Sequence, residues 1–95
     1  MNAREYAERH GQWVVERNMR GVGGDFASQE LLQGFVAQGK MPPRPTTKAE
    51  ILRDEPDGEG NIFEIKYSND AEAQTIRTRW EQQGEDWKIV EVQGL

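Results

Sequence analysis

The sequence predicts an α+β domain: two N-terminal helices packed on a curved, four-stranded antiparallel meander. Three observations predict it. Apolar residues recur at spacings of three and four through the first part of the chain. They alternate with polar residues from Ile62 to Val92, where short turn clusters interrupt them. A proline-rich stretch separates the two patterns. With 95 residues the chain is expected to form a single domain spanning 1–95.

The first helix is expected over about 3–20. Ala3, Tyr6, Ala7, His10, Trp13, Val14 and Arg17 line one face, and Glu5, Glu8, Arg9, Gln12 and Glu16 fall mostly on the other. Gly11 inside this helix implies a bend or a close neighbour. The run Gly21-Val22-Gly23-Gly24 is expected to end it. A second helix over about 28–38, capped by Asp25 or Ser28, carries Leu31, Leu32, Phe35 and Val36 as its stripe. Residues 40–47 contain Pro42, Pro43 and Pro45 and read as a stiff connector.

The sheet is expected over about 48–93. A first strand near Lys48–Asp54 leads to the turn cluster Pro56–Asn61. Opposing Ile65 with Ile76 sets Phe63 against Thr78 and Glu64 against Arg77, which matches apolar faces and pairs charges outside. Opposing Trp80 with Trp87 leaves Gln83-Gly84 as a two-residue loop. On that register Trp80, Trp87 and Ile89 face the helices. Val90 and Val92 then point outward with Ile62, which suggests a homodimer covering the outer face through Ile62, Val90 and Val92. Glu91 points inward.

Composition narrows the function classes. The chain has no cysteine and so no disulfide framework, which suits a cytoplasmic setting. It opens on no apolar signal segment, and no apolar run reaches the ~20 residues that span a bilayer. Its net charge of −5 divides into +2 over residues 1–48 and −7 over 49–95. That lacks the basic footprint of a nucleic-acid binder. Acidity also permits an inhibitor or mimic that captures a basic partner, a weaker alternative.

His10 is the single histidine and sits on the apolar stripe of the first helix. It could serve as acid or base, with Tyr6 or Glu91 polarising a substrate. The plainer reading is a histidine hydrogen-bonded at a helix–sheet seam. One histidine without cysteine gives no transition-metal site, and no metal or other cofactor is expected. Asp25 reads as a helix cap, a turn residue or a carboxylate base. Asp54, Glu55, Asp57 and Glu59 lack calcium-loop spacing and read as a solvated hairpin tip. Arg20–Asp25 is glycine-rich but follows a helix rather than a strand, so it is no phosphate loop. Tyr6, His10, Trp13, Phe35, Tyr67, Trp80 and Trp87 would line any cleft between helices and sheet; the same rings can simply be core.

Two short motifs, Gly24-Asp25-Phe26 after the first helix and Gly84-Glu85-Asp86-Trp87-Lys88-Ile89 near the end, resemble those of the nuclear transport factor 2-like (ketosteroid isomerase-like, cystatin-like) superfamily. The resemblance is to a reduced version. Full members have a further helix and strands where this chain has a proline connector and one strand. It implies a cystatin-like fold and a small module that binds an apolar ligand or a protein partner. It also leaves an isomerase or dehydratase as the alternative, and no catalytic residue carries over.

Overall fold

A computed structural model describes residues 1–95. Three helices, α1 (Ala3–Glu16), α2 (Met19–Gly24) and α3 (Gln29–Ala37), precede four strands, β1 (Lys48–Asp57), β2 (Gly60–Ser68), β3 (Ala73–Gln83) and β4 (Asp86–Gly94). The strands form one antiparallel meander in the order β1-β2-β3-β4. The helices pack on one face of this curved, unclosed sheet, as the sequence predicts. No helix is long and apolar enough to cross a membrane.

The helical half differs in detail. Asn2 and Glu5 form a reciprocal capping box at 2.9 Å in each direction, which starts α1. α1 ends at Glu16 rather than near Arg20, because Arg17 takes the left-handed conformation (φ 62°). The Asn18 N–H then bonds back to the Trp13 carbonyl at 2.8 Å. Asn18 caps a new short helix by accepting from the Gly21 N–H. The glycine run expected to stop a helix therefore lies inside one. A Cβ on Gly21 would sit 2.6 Å from the Trp13 ring, so glycine is needed for packing there. Ser28 caps α3; Asp25 ends α2 instead.

The core lies between helices and sheet. Phe63, Ile65, Ile76, Trp80 and Ile89 from the strands meet Tyr6, Ala7, Val14, Phe26 and Phe35. Each large apolar side chain buried this way contributes about 1.5–3 kcal/mol against chain entropy. Gly11 has its close neighbour: a Cβ there would lie 3.2 Å from the Ala49 Cβ on β1.

Ile65 opposes Ile76, Phe63 opposes Thr78 and Glu64 opposes Arg77, as the apolar pattern predicts. The last hairpin departs from it. Its loop is Gly84-Glu85, because glycine takes the first loop position with positive φ (66°), the place a type II′ turn reserves for it. Trp80 therefore opposes Ile89, and Trp87 opposes Gln82. A bulge follows: Arg79 opposes Glu91, which leaves Val90 as the extra residue. Everything beyond Val90 changes face. Val92 opposes buried Thr78 and packs against the core, whereas Glu91 is exposed beside Arg79 on the outer face. Both orientations expected from the unbulged register are reversed. A matching bulge at Leu52 lets β1 face the core with Ala49 and Ile51 before it and oppose buried Phe63 with Asp54 after it.

Candidate functional site

The polar cluster at the helix–sheet seam forms around His10. α1 carries Tyr6, Arg9 and His10 toward the step between α2 and α3. That step is pinned to β4: the Ile89 N–H donates to the Asp25 carbonyl at 2.8 Å, and the Ala27 N–H donates to the Ile89 carbonyl at 2.9 Å. Phe26 thereby bridges to Ile89 as a one-residue parallel strand. The same anchoring turns the Asp25 side chain inward, where His10 Nδ1 lies 2.9 Å from Asp25 Oδ2. Both residues are buried. Arg9 Nη2 stands 3.8 Å from the other carboxylate oxygen.

Aromatic rings enclose this pair. Trp80 meets His10 edge-on with centroids 5.6 Å apart, and Phe26 lies 6.3 Å away. The Arg9 guanidinium sits over the rings of Tyr6 (4.7 Å) and Trp13 (4.3 Å), a favourable cation–π contact on both sides. The Tyr6 hydroxyl donates to Asp86 Oδ1 at 2.7 Å, and this bond raises the phenol above its ordinary pKa. Burial, and after it the Asp25 charge, raises the Tyr67 phenol too.

Of the predicted cleft residues, Tyr6, Phe35, Tyr67 and Trp80 belong to the buried core, with His10 buried beside them and Trp87 packed against that core. Trp80 is 0 % exposed, and its indole N–H donates to Thr78 Oγ1 at 2.8 Å. Phe35 stacks on Phe26. Trp13 and Trp87 are half-buried at the periphery. Glu91, expected beside His10, lies on the opposite face of the sheet. Asp25 is His10's partner, a pairing that sequence spacing does not reveal because the two lie on separate elements. Asp86, Tyr6's partner, closes the Gly84-Glu85 turn at the start of β4, where an aspartate reads as an ordinary turn residue.

The outer face is laced with ion pairs. Glu64 Oε2 accepts from Arg53 Nη1 at 3.0 Å and from Arg77 Nε at 3.1 Å. The Arg53 bond, joined by Arg77, holds its carboxyl below the ordinary range against the opposing effect of burial. Arg79 bonds Asp57 at 2.9 Å and also pairs with Glu81. An open cleft of about 710 Å³ runs from this face to the β4 edge, lined by Ile62, Arg77, Arg79, Glu91, Val92 and Lys40 among others. No group of three or more His, Asp or Glu residues gathers as a metal site would require.

The two sheet edges differ. At β4, besides the Asp25–Ala27 contacts with Ile89, the Gln38 side-chain amide donates to the Val92 carbonyl and accepts from the Gly94 N–H at 3.0 Å. β1 is the free edge.

No family model, curated protein or solved structure gives a significant match to this chain. The architecture agrees with the nuclear transport factor 2-like or cystatin-like arrangement in general terms only.

Proposed function

We propose that the chain is a non-catalytic binding module that engages a protein partner and acts as a homodimer. The filled interior carries this reading. Phe63, Trp80 and Ile89 are 0 % exposed, so no water-sized space adjoins them. An apolar ligand would have to displace the rings expected to line its cleft. Contacts are then made on the surface, as in most protein recognition. Membership in the nuclear transport factor 2-like superfamily as a reduced version, and a cytoplasmic setting, belong to the same proposal.

One observation favours the enzyme alternative: Asp25 engages His10 Nδ1 as an orienting carboxylate would. Against it, His10 is only 5 % exposed, packed against Trp80 and Phe26. Glu91 lies on the far side of the sheet, and Tyr6 is committed to Asp86. The His10–Asp25 pair serves as a buried cross-link between α1 and the β4-anchored step.

Titration of the folded protein with an apolar fluorescent probe tests the reading through quenching of tryptophan emission. We expect no saturable binding. Stoichiometric binding that is lost on Trp80→Ala, with the fold retained, would replace the partner-binding module with a ligand carrier.

A further inference from the structure

The free edge of the sheet carries a self-complementary pattern that the ion-paired outer face does not explain. β1 has no strand beyond it, whereas β4 is closed by the Asp25–Ala27 step and by Gln38. Unpaired strand edges are templates for pairing, and proteins leave few of them long and open. At the middle of this one stands Leu52, 58 % exposed, the only large apolar residue within a strand that is exposed.

The charges flanking Leu52 alternate in sign along the outer face: Lys48, Glu50, Arg53, Glu55. They oppose Ser68, Lys66, Glu64 and Ile62 of β2. Their spacing is uneven because the bulge at Leu52 inserts one residue. Resting on the module reading for its purpose, we propose that β1 pairs antiparallel with β1 of a second copy across a two-fold axis normal to the sheet, centred between Ile51 and Leu52. The two four-stranded sheets then join into one of eight strands.

That centre sets Lys48 against the partner's Glu55 and Glu50 against the partner's Arg53, each contact occurring twice by symmetry. Opposed residues of an antiparallel pair must share a face. A register that opposes even-numbered to odd-numbered positions would break this rule in a regular strand. The bulge repairs it: Lys48 and Glu50 before Leu52, and Arg53 and Glu55 after it, all lie on the outer face. Ala49 falls against the partner's Asp54 on the inner face by the same shift. Leu52, exposed on its own chain, stands against the partner's Ile51 beside the axis. Pro56, which has no N–H to offer a neighbour, lies outside Lys48–Glu55. Within one chain Lys48 pairs with Glu50 at 3.5 Å and Arg53 with Glu55 at 2.6 Å, while Arg53 also keeps its 3.0 Å bond to Glu64. Such exposed pairs are weak enough to be shared across a new interface.

Light scattering and sedimentation equilibrium up to millimolar concentration test the proposal. The chain should approach twice its 10.9 kDa mass. Lys48→Glu should raise the dissociation constant roughly tenfold or more, since it opposes like charges at two symmetric places. The double variant Lys48→Glu with Glu55→Lys should recover most of that loss, which only opposition of these two positions predicts. Leu52→Lys should yield monomer. A chain that stays monomeric at millimolar concentration overturns the edge pairing and the homodimer together, while the probe titration still judges the partner-binding reading. A dimer indifferent to Lys48→Glu and Leu52→Lys but abolished by Ile62→Arg overturns the edge pairing alone and places the interface on the outer face.

Discussion

His10 Nδ1 stands 2.9 Å from Asp25 Oδ2 with both side chains buried, and this contact ties α1 to the segment anchored on β4. Removing one partner leaves the other polar group buried with its main bond lost, and such losses are large. His10→Ala is expected to lower unfolding free energy by about 3 kcal/mol, with Asp25→Ala comparable. The two should not add, since each removes the same contact. Urea denaturation of both single variants and the double variant checks this. Additive losses would show that the pair is not a structural unit.

Acid should weaken the fold through Glu64. Its folded carboxyl is held below the ordinary range, first by the Arg53 hydrogen bond and then, against burial, by Arg77. A depressed carboxylate favours the folded state above its unfolded pKa, and that contribution is lost as pH falls through the folded value. The urea midpoint should therefore decline below about pH 5. In Glu64→Gln the decline should be shallower, and an unchanged slope would remove Glu64 from the account.

The tyrosines give the opposite sign. Tyr67 is raised chiefly by burial and Tyr6 chiefly by its bond to Asp86. The folded state keeps both protons where the unfolded chain releases them, so stability falls as pH rises through the unfolded phenol pKa of about 10. Near-ultraviolet titration should show less phenolate at that pH in the folded protein than the half-ionisation reached in urea. Normal titration of both rings in buffer would contradict the burial of Tyr67.

Two helical glycines should answer alanine differently. Gly34 meets nothing within 4 Å of an added Cβ, so Gly34→Ala should gain about 0.5–1 kcal/mol from helix propensity alone. At Gly11 the added Cβ lies 3.2 Å from the Ala49 Cβ, which presses α1 off β1. There overpacking outweighs propensity, and Gly11→Ala should lose about 1 kcal/mol net. Thermal melts of the two variants decide it; a gain at Gly11 would mean that the α1–β1 contact yields easily.

The alternation around Ile65 and Ile76 was readable because both strands are regular there and one face is buried, so any slip would expose the whole apolar set. The Ser28 cap and the close approach at Gly11 were each one of two readings that the residues left open, against Asp25 as the cap and a bend at Gly11. Three features were not readable. Arg17 breaks α1 without any glycine or proline. The His10–Asp25 pair depends on how a step between helices docks on β4. The bulges left a trace, since Ile51-Leu52 and Ile89-Val90 put two apolar residues side by side where alternation demands one. An apolar spacing of three from Ile89 to Val92 is a phase slip, and treating that strand as regular turned Glu91 and Val92 the wrong way.

The Val90 bulge leads to a result that strand logic alone would reject. Deleting a residue from a regular strand flips every side chain beyond it, which in β3 would drive Arg77 or its neighbours into the core. At Val90 the pairing already skips: Ile89 opposes Trp80 and Glu91 opposes Arg79. Removing Val90 therefore leaves Glu91 outside, Val92 inside, and the Val92 and Gly94 backbone groups in reach of Gln38. The loss is Val90's own partial burial and some local twist, about 1 kcal/mol. The deletion variant should fold and keep the near-ultraviolet dichroism of buried Trp80, whereas deletion of Arg77 should abolish it. Unfolding of both variants alike would show that the extra residue is required for the sheet's curvature rather than merely accommodated by it.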